Sequence, residues 1–335
     1  MIRKPKVSIS YNDISGAGQN VVKVFSYGSP LKSRYSIILP DNNMKNPNFY
    51  YLKNGLMNGK KFNNISHESL GDTGKFYKFK VNDIVCLVDA DDNSHISERY
   101  IKDNKNIFSD VNFIFIFQYC YKKHQQFFEI KNKLGIDIYP LIYGTTKNFP
   151  TKKFQWENKN HKYTANFAFT MSRRNRQHRM GWVNYVKDDR TFFTDFVKGH
   201  IYANILQDTK WGVSLIGSGL DFDGKCYREA EFMSLGMPLA FNYMPCYPFP
   251  FYPNVHYLYL KDINDIDLLK KIDPIEYAKK SSFMWDKYFS PCGLSNLLIN
   301  ILFNEKYRND IPNFWGQFIS EDYYLHQKGK KVFTL

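Results

Sequence analysis

Along the chain, short continuous apolar runs alternate with stretches of helical spacing. The runs predict strands at 6–10, 35–39, 84–88, 111–117 and 136–143, and again at 165–171, 211–216 and 256–260, with one more restarting after Pro238. A basic helix carrying His124 follows the 111–117 run, and Tyr227, Phe232, Met233 and Leu235 mark a helix that Gly236 stops. Residues 262–272, 274–288 and 293–303 read as further helices. Two segments interrupt the pattern. Residues 41–74, rich in Asn, Lys and Gly, read as a long loop. Residues 145–162 lose all periodicity and turn polar and charged, the composition of a connection between domains. Strand and helix alternate on both sides of that connection. The expected fold is therefore α/β, with two doubly wound units at 1–150 and 151–335.

Composition narrows the partners. A formal charge of +14 over 335 residues gives a surface field that favours anions. The lysines are scattered, and no zinc, RRM or helix-turn-helix signature accompanies them, which speaks against a dedicated nucleic-acid binder while leaving a basic polyanion-binding protein as an alternative. The tail lysines, Lys328, Lys330 and Lys331, suit peripheral contact with anionic lipid. No run approaches the roughly 20 apolar residues of a membrane span, and the first residues hold no apolar signal-like core. Cys86, Cys120, Cys226, Cys246 and Cys292 are widely spaced with no C-x-x-C pair, as expected of reduced thiols in a cytoplasmic protein.

The densest chemistry lies in 210–241. An apolar strand runs into Gly217-Ser218-Gly219, passes Asp221 and Asp223, and enters the helix that carries Lys225, Arg228 and Glu231 on one face. Charges so spaced also suit an exposed ion-pair ladder. Their place at the start of a helix after a glycine loop adds free backbone N–H groups and a favourable dipole, a setting for an anion. A second basic cluster, Arg173, Arg174, Arg176 and Arg179, follows the 165–171 strand. Four guanidinium groups so close repel one another unless something negative is near; they suit nucleic-acid contact or a solvated basic face, and alternatively Arg173 and Arg176, three apart, would give bidentate contacts to phosphate. Gly16 and Gly18 follow the first strand without the third glycine of a dinucleotide fingerprint. Asp89 and Asp91 close the 84–88 strand as a D-x-D, which serves equally well as a turn. The segment 242–253, dense in Pro, Tyr and Phe, could line a sugar or base pocket or simply pack as a loop.

The order Arg228, Glu231, Gly236, Pro238 between two apolar strands resembles the donor-binding helix of GT-B glycosyltransferases, especially the exostosin-like and group 1 types. The resemblance covers about 165–302, with Glu231 at the second of the family's two acidic positions and Asp223, a shorter side chain, at the first. It implies two Rossmann-like domains facing a cleft and transfer of a sugar from a nucleotide-diphosphate sugar to a glycan or other hydroxyl acceptor. It further implies that Glu231 holds the ribose, that Arg173, Arg176, Lys225 and Arg228 hold the diphosphate, and that Gly217, Gly219 and Asp223 approach the donor. Asp13 and His124 are candidates for proton transfer from the opposite half. No cofactor is required on this reading. The alternative enzyme is a GT-A glycosyltransferase, whose D-x-D motif Asp89 and Asp91 resemble, and which would use a divalent metal.

Overall fold

The computed structural model describes residues 35–40, 47–59, 61–68, 70, 76–90, 96–117, 119, 123–142, 160–168, 176–195, 199–215 and 227–316. Among them, two sheets account for all the strands.

The first sheet begins with β1 (Tyr35–Pro40), α1 (Pro47–Asn58) and β2 (Phe62–Glu68), continues through the hairpin of β3 (Phe76–Val81) and β4 (Ile84–Asp89), and adds β5 (Phe113–Ile116) and β6 (Asp137–Pro140). Helices α2 (Glu98–Asp103) and α3 (Lys105–Phe108) connect β4 to β5, and α4 (His124–Leu134) connects β5 to β6. The strand order is β2-β1-β3-β4-β5-β6. β4, β5 and β6 run parallel, as do β1 and β2, but β3 lies antiparallel to both of its neighbours. That antiparallel strand departs from the expected parallel winding. Its hairpin turns on Asn82, at φ 52°, a left-handed conformation that Asn tolerates. The Asn82 carboxamide oxygen accepts from the Ser36 amide at 3.0 Å and so ties the turn to β1.

The stretch 41–74, expected as a loop, contains α1 and β2. Phe49, Leu52 and Leu56 of α1 are buried at helical spacing, but Asn and Gly between them dilute the signal. In β2 every residue after Phe62 is exposed, so no alternation is written into it. β3 was hidden by its lysines. Lys78 is nevertheless buried, its ammonium 2.6 Å from Asp110.

The second sheet is formed by β7 (Tyr163–Asn166), β8 (Phe192–Phe193), β9 (Thr209–Ser214), β10 (Leu239–Phe241) and β11 (Leu258–Tyr259), in the order β11-β10-β9-β7-β8. Every pairing in it is parallel. Helices α5 (Arg176–Val186), α6 (Gly199–Gln207) and α7 (Tyr227–Ser234) make the crossovers. The expected helix at 262–272 divides into a 3-10 turn, Ile263–Asp267, and α8 (Leu268–Lys271). Then come α9 (Ile275–Met284), which runs into a π turn at Trp285–Phe289, and α10 (Pro291–Phe303), α11 (Glu305–Asp310) and α12 (Asn313–Gly316).

α10 starts sharply. The Ser290 hydroxyl accepts from the Gly293 amide at 3.1 Å, and Pro291 takes the first helical position, where no amide is needed. The helix then packs on α1 of the first sheet. A Cβ placed on Gly59 would lie 1.9 Å from the Ser295 hydroxyl, so the two backbones approach as only glycine permits. One apolar core consequently runs from β1 through the first sheet into α7, the 242–253 segment and α10.

Candidate functional site

In the second sheet the chain starts at β7, steps outward to β8, then returns past β7 to β9, β10 and β11. The winding reverses between β7 and β9. In open parallel α/β sheets ligands bind outside the carboxyl ends of the strands at such a reversal. In the chain, β7 and β9 are followed by the segments that carry Arg173 and, respectively, Gly217, Gly219, Asp223 and Lys225. Those five residues, like Asp13 and Asp91, lie outside the described residues. Arg176 is the first residue of α5, the helix that follows β7.

α7 is the described part of the site. It is pressed onto β9 at Gly212, where an added Cβ would come within 2.6 Å of the Phe232 ring. It ends at Gly236, whose φ of 71° takes the chain out of the helix and into β10. From Glu229 onward the helix is buried on every side. That burial rules out an exposed ion-pair ladder. Arg228 is half-buried in the first turn, its guanidinium carbon 5.7 Å from the centre of the Tyr202 ring on α6, a cation–π contact that fixes the charge near the helix start. Glu231 is only 3% exposed.

Sequence reasoning passed over Glu229. Its carboxylate is fully buried and accepts hydrogen bonds from the phenols of Tyr243 and Tyr247, one on each oxygen. The Tyr243 oxygen also lies 2.9 Å from the Ser214 hydroxyl at the carboxyl end of β9. With the phenol proton committed to the carboxylate, Ser214 is the donor in that pair. A charged residue one helical turn before the apolar pair Phe232 and Met233, with tyrosines following in a Pro-rich segment, was the available signal. That segment, 242–253, packs as core: Tyr247 stacks on Phe249 at 5.0 Å, and Phe249 on Tyr288 at 4.0 Å. Its rings are used in packing, and two of its phenols hold α7.

The network continues toward the first sheet. The Trp315 indole N–H donates to the Tyr247 carbonyl at 2.6 Å, and the Trp315 ring lies 5.2 Å from Tyr119 and 5.5 Å from His124. His124 opens α4 after the carboxyl end of β5, with Nδ1 2.8 Å from the Tyr119 phenol. Burial lowers its pKa below the usual imidazole value, so it is neutral at pH 7 and able to accept a proton. Aromatic contacts thus link His124 to the neighbourhood of α7.

Asp89 ends β4 at 1% exposure. Among the described residues no three His, Cys, Asp or Glu side chains converge in a way that could hold a metal ion. No described helix is long and apolar enough to cross a membrane.

No known family model matches the chain, and no curated protein does. Among solved structures it is similar to the Glycosylation Associate Protein (Gap123) complex from Streptococcus agalactiae, at 10% sequence identity and a TM-score of 0.35, over 83% of this chain and 54% of that one. The chain spans about half the length of that structure's chain. What these observations establish is an α/β protein with a parallel-rich architecture and a reversal point at β7 and β9.

Proposed function

We propose that the chain is a GT-B type glycosyltransferase that moves a sugar from a nucleotide-diphosphate sugar to a glycan or other hydroxyl acceptor. The observation that supports this most is the all-parallel second sheet, whose winding reverses between the two strands that precede the Arg173 and Gly217–Lys225 segments. As the anomeric C–O bond breaks, its electron pair goes to the diphosphate. Arg173, Arg176, Lys225 and Arg228, aided by the α7 N-terminus, would stabilise that charge, the largest contribution such a site can make. Glu231 would accept from the ribose hydroxyls. His124, neutral by burial, would take the proton of the attacking hydroxyl.

A thermal-shift panel of UDP, GDP, dTDP and CMP tests the reading. One nucleotide is expected to raise Tm, by the mass-action stabilisation of a ligand that binds only the folded state, with the shift lost in Arg228→Ala and retained in EDTA. Loss of the shift in EDTA would instead favour a metal site at Asp89 and Asp91. Indifference to every nucleotide, with steeply salt-dependent oligonucleotide binding, would replace the transferase reading by a polyanion-binding one.

A further inference from the structure

Away from the β7–β9 reversal, a pocket of about 180 Å³ opens between α4, the edge strand β6 and α11. Its volume is below the roughly 300 Å³ at which drug-sized ligand sites begin, so a nucleotide sugar does not fit it. At about 30 Å³ per water it has room for roughly six waters, the scale of one sugar ring.

Three of its groups are open to a ligand. Phe128 presents its ring at 51% exposure and contacts no other aromatic ring among the described residues. Asn309, exposed on α11, makes no side-chain hydrogen bond among them. Asp137 receives the Lys131 ammonium at 2.7 Å and the Tyr139 phenol at 3.3 Å, both on Oδ1, which leaves Oδ2 with its lone pairs available. The walls are held in place. Arg308 donates to the last carbonyls of α10, Ile301 at 3.0 Å and Leu302 at 2.9 Å, and the ion pair ties α4 to β6.

An unstacked aromatic face beside a carboxylate and a carboxamide matches the chemistry of a pyranose. The ring covers the sugar's C–H face, while the two planar groups pair with adjacent hydroxyls. We infer that this pocket, which His124 also lines, binds a neutral saccharide, one residue of the glycan acceptor, beside α4 rather than at the β7–β9 reversal. The choice of ligand rests on the glycosyl-transfer reading; its test does not.

Saturation-transfer NMR with methyl glycosides of glucose, galactose and N-acetylglucosamine reads the pocket directly. At least one glycoside is expected to receive saturation at its ring C–H protons. Phe128→Ala, a change at an exposed ring, is expected to weaken that binding roughly tenfold, the size of a lost aromatic contact, and Phe128→Tyr to restore it. Asn309→Ala should weaken it as well. Absence of transfer from the wild-type protein, or equal transfer from Phe128→Ala, would overturn the assignment. UDP stabilisation of the same variants is expected to equal that of the wild type. Glycoside binding without nucleotide binding would sink the transferase reading alone, and the reverse would sink the pocket alone.

Discussion

The Glu229 carboxylate, sealed inside α7 and bonded by two phenols, shows how a single charged residue can organise its surroundings. A buried acceptor that loses a donor pays the desolvation of the group left behind, about 1–3 kcal/mol, so Tyr247→Phe is expected to lower unfolding free energy by that amount in urea titration. Tyr243→Phe should cost at least as much, because the Ser214 hydroxyl loses its acceptor too. His256 is the pH-sensitive counterpart. Burial, reinforced by Lys280, pushes its pKa from 6.5 down to about 3. Its Nδ1 also accepts the Tyr252 amide at 2.9 Å, a bond that protonation of that nitrogen would break. The unfolded chain takes up this proton near pH 6.5 and the folded one only near 3, so between those values the unfolded state holds more protons. Stability from this group is therefore complete above pH 6.5 and is lost as pH falls toward 3, by no more than about 5 kcal/mol at the end of the window. His256→Asn keeps an acceptor for Tyr252 and should flatten the decline in urea midpoint between pH 7 and pH 4.

At the scale of elements, what the sequence made legible follows burial. β4 and β5 are buried on both faces and read as apolar runs, IVCLV before Asp89 and FIFI. Gly236 marked the end of α7 because only a left-handed residue can turn the chain there. β2, exposed along nearly its whole length, and β3, with a lysine in the core, left no such trace. For the site, the spacing of Arg228 and Glu231 was readable, but the sequence left open an exposed ion-pair ladder, and α7 has no exposed face after its first turn. Glu229 lies off the face that Arg228 and Glu231 share and so took no part in that spacing. How closely α7 approaches β9 was likewise invisible, since Gly212 matters through a contact with Phe232 twenty residues on. Gly212→Ala would drive a methyl into that ring and push the helix off the strand. A cost of about 1–3 kcal/mol is expected by thermal or urea unfolding, with weaker nucleotide stabilisation if α7 holds the donor.

Over the whole molecule, the two sheets share a core because the C-terminal helices return to the first. Gly59 lets α10 settle on α1, and Tyr307 donates its phenol to the Pro248 carbonyl at 2.6 Å. Trp315 makes a further connection. Its indole N–H holds the 242–253 segment at Tyr247, while its ring covers Tyr119 and His124 of the first sheet. With such a bridge, the first sheet cannot lose its structure without exposing the rings that pack α7, and one cooperative transition is expected for the wild-type protein. Trp315→Ala removes both the donor and the ring, at about 3–5 kcal/mol. Trp315→Phe keeps most of the ring and gives up only the hydrogen bond, so it should cost about 1–3 kcal/mol, the penalty of an unmet buried carbonyl. If Trp315 couples the halves, the alanine variant should unfold in two calorimetric steps and the phenylalanine variant in one. A single step in both, merely shifted to lower temperature, would mean that the α1–α10 contact alone carries the coupling.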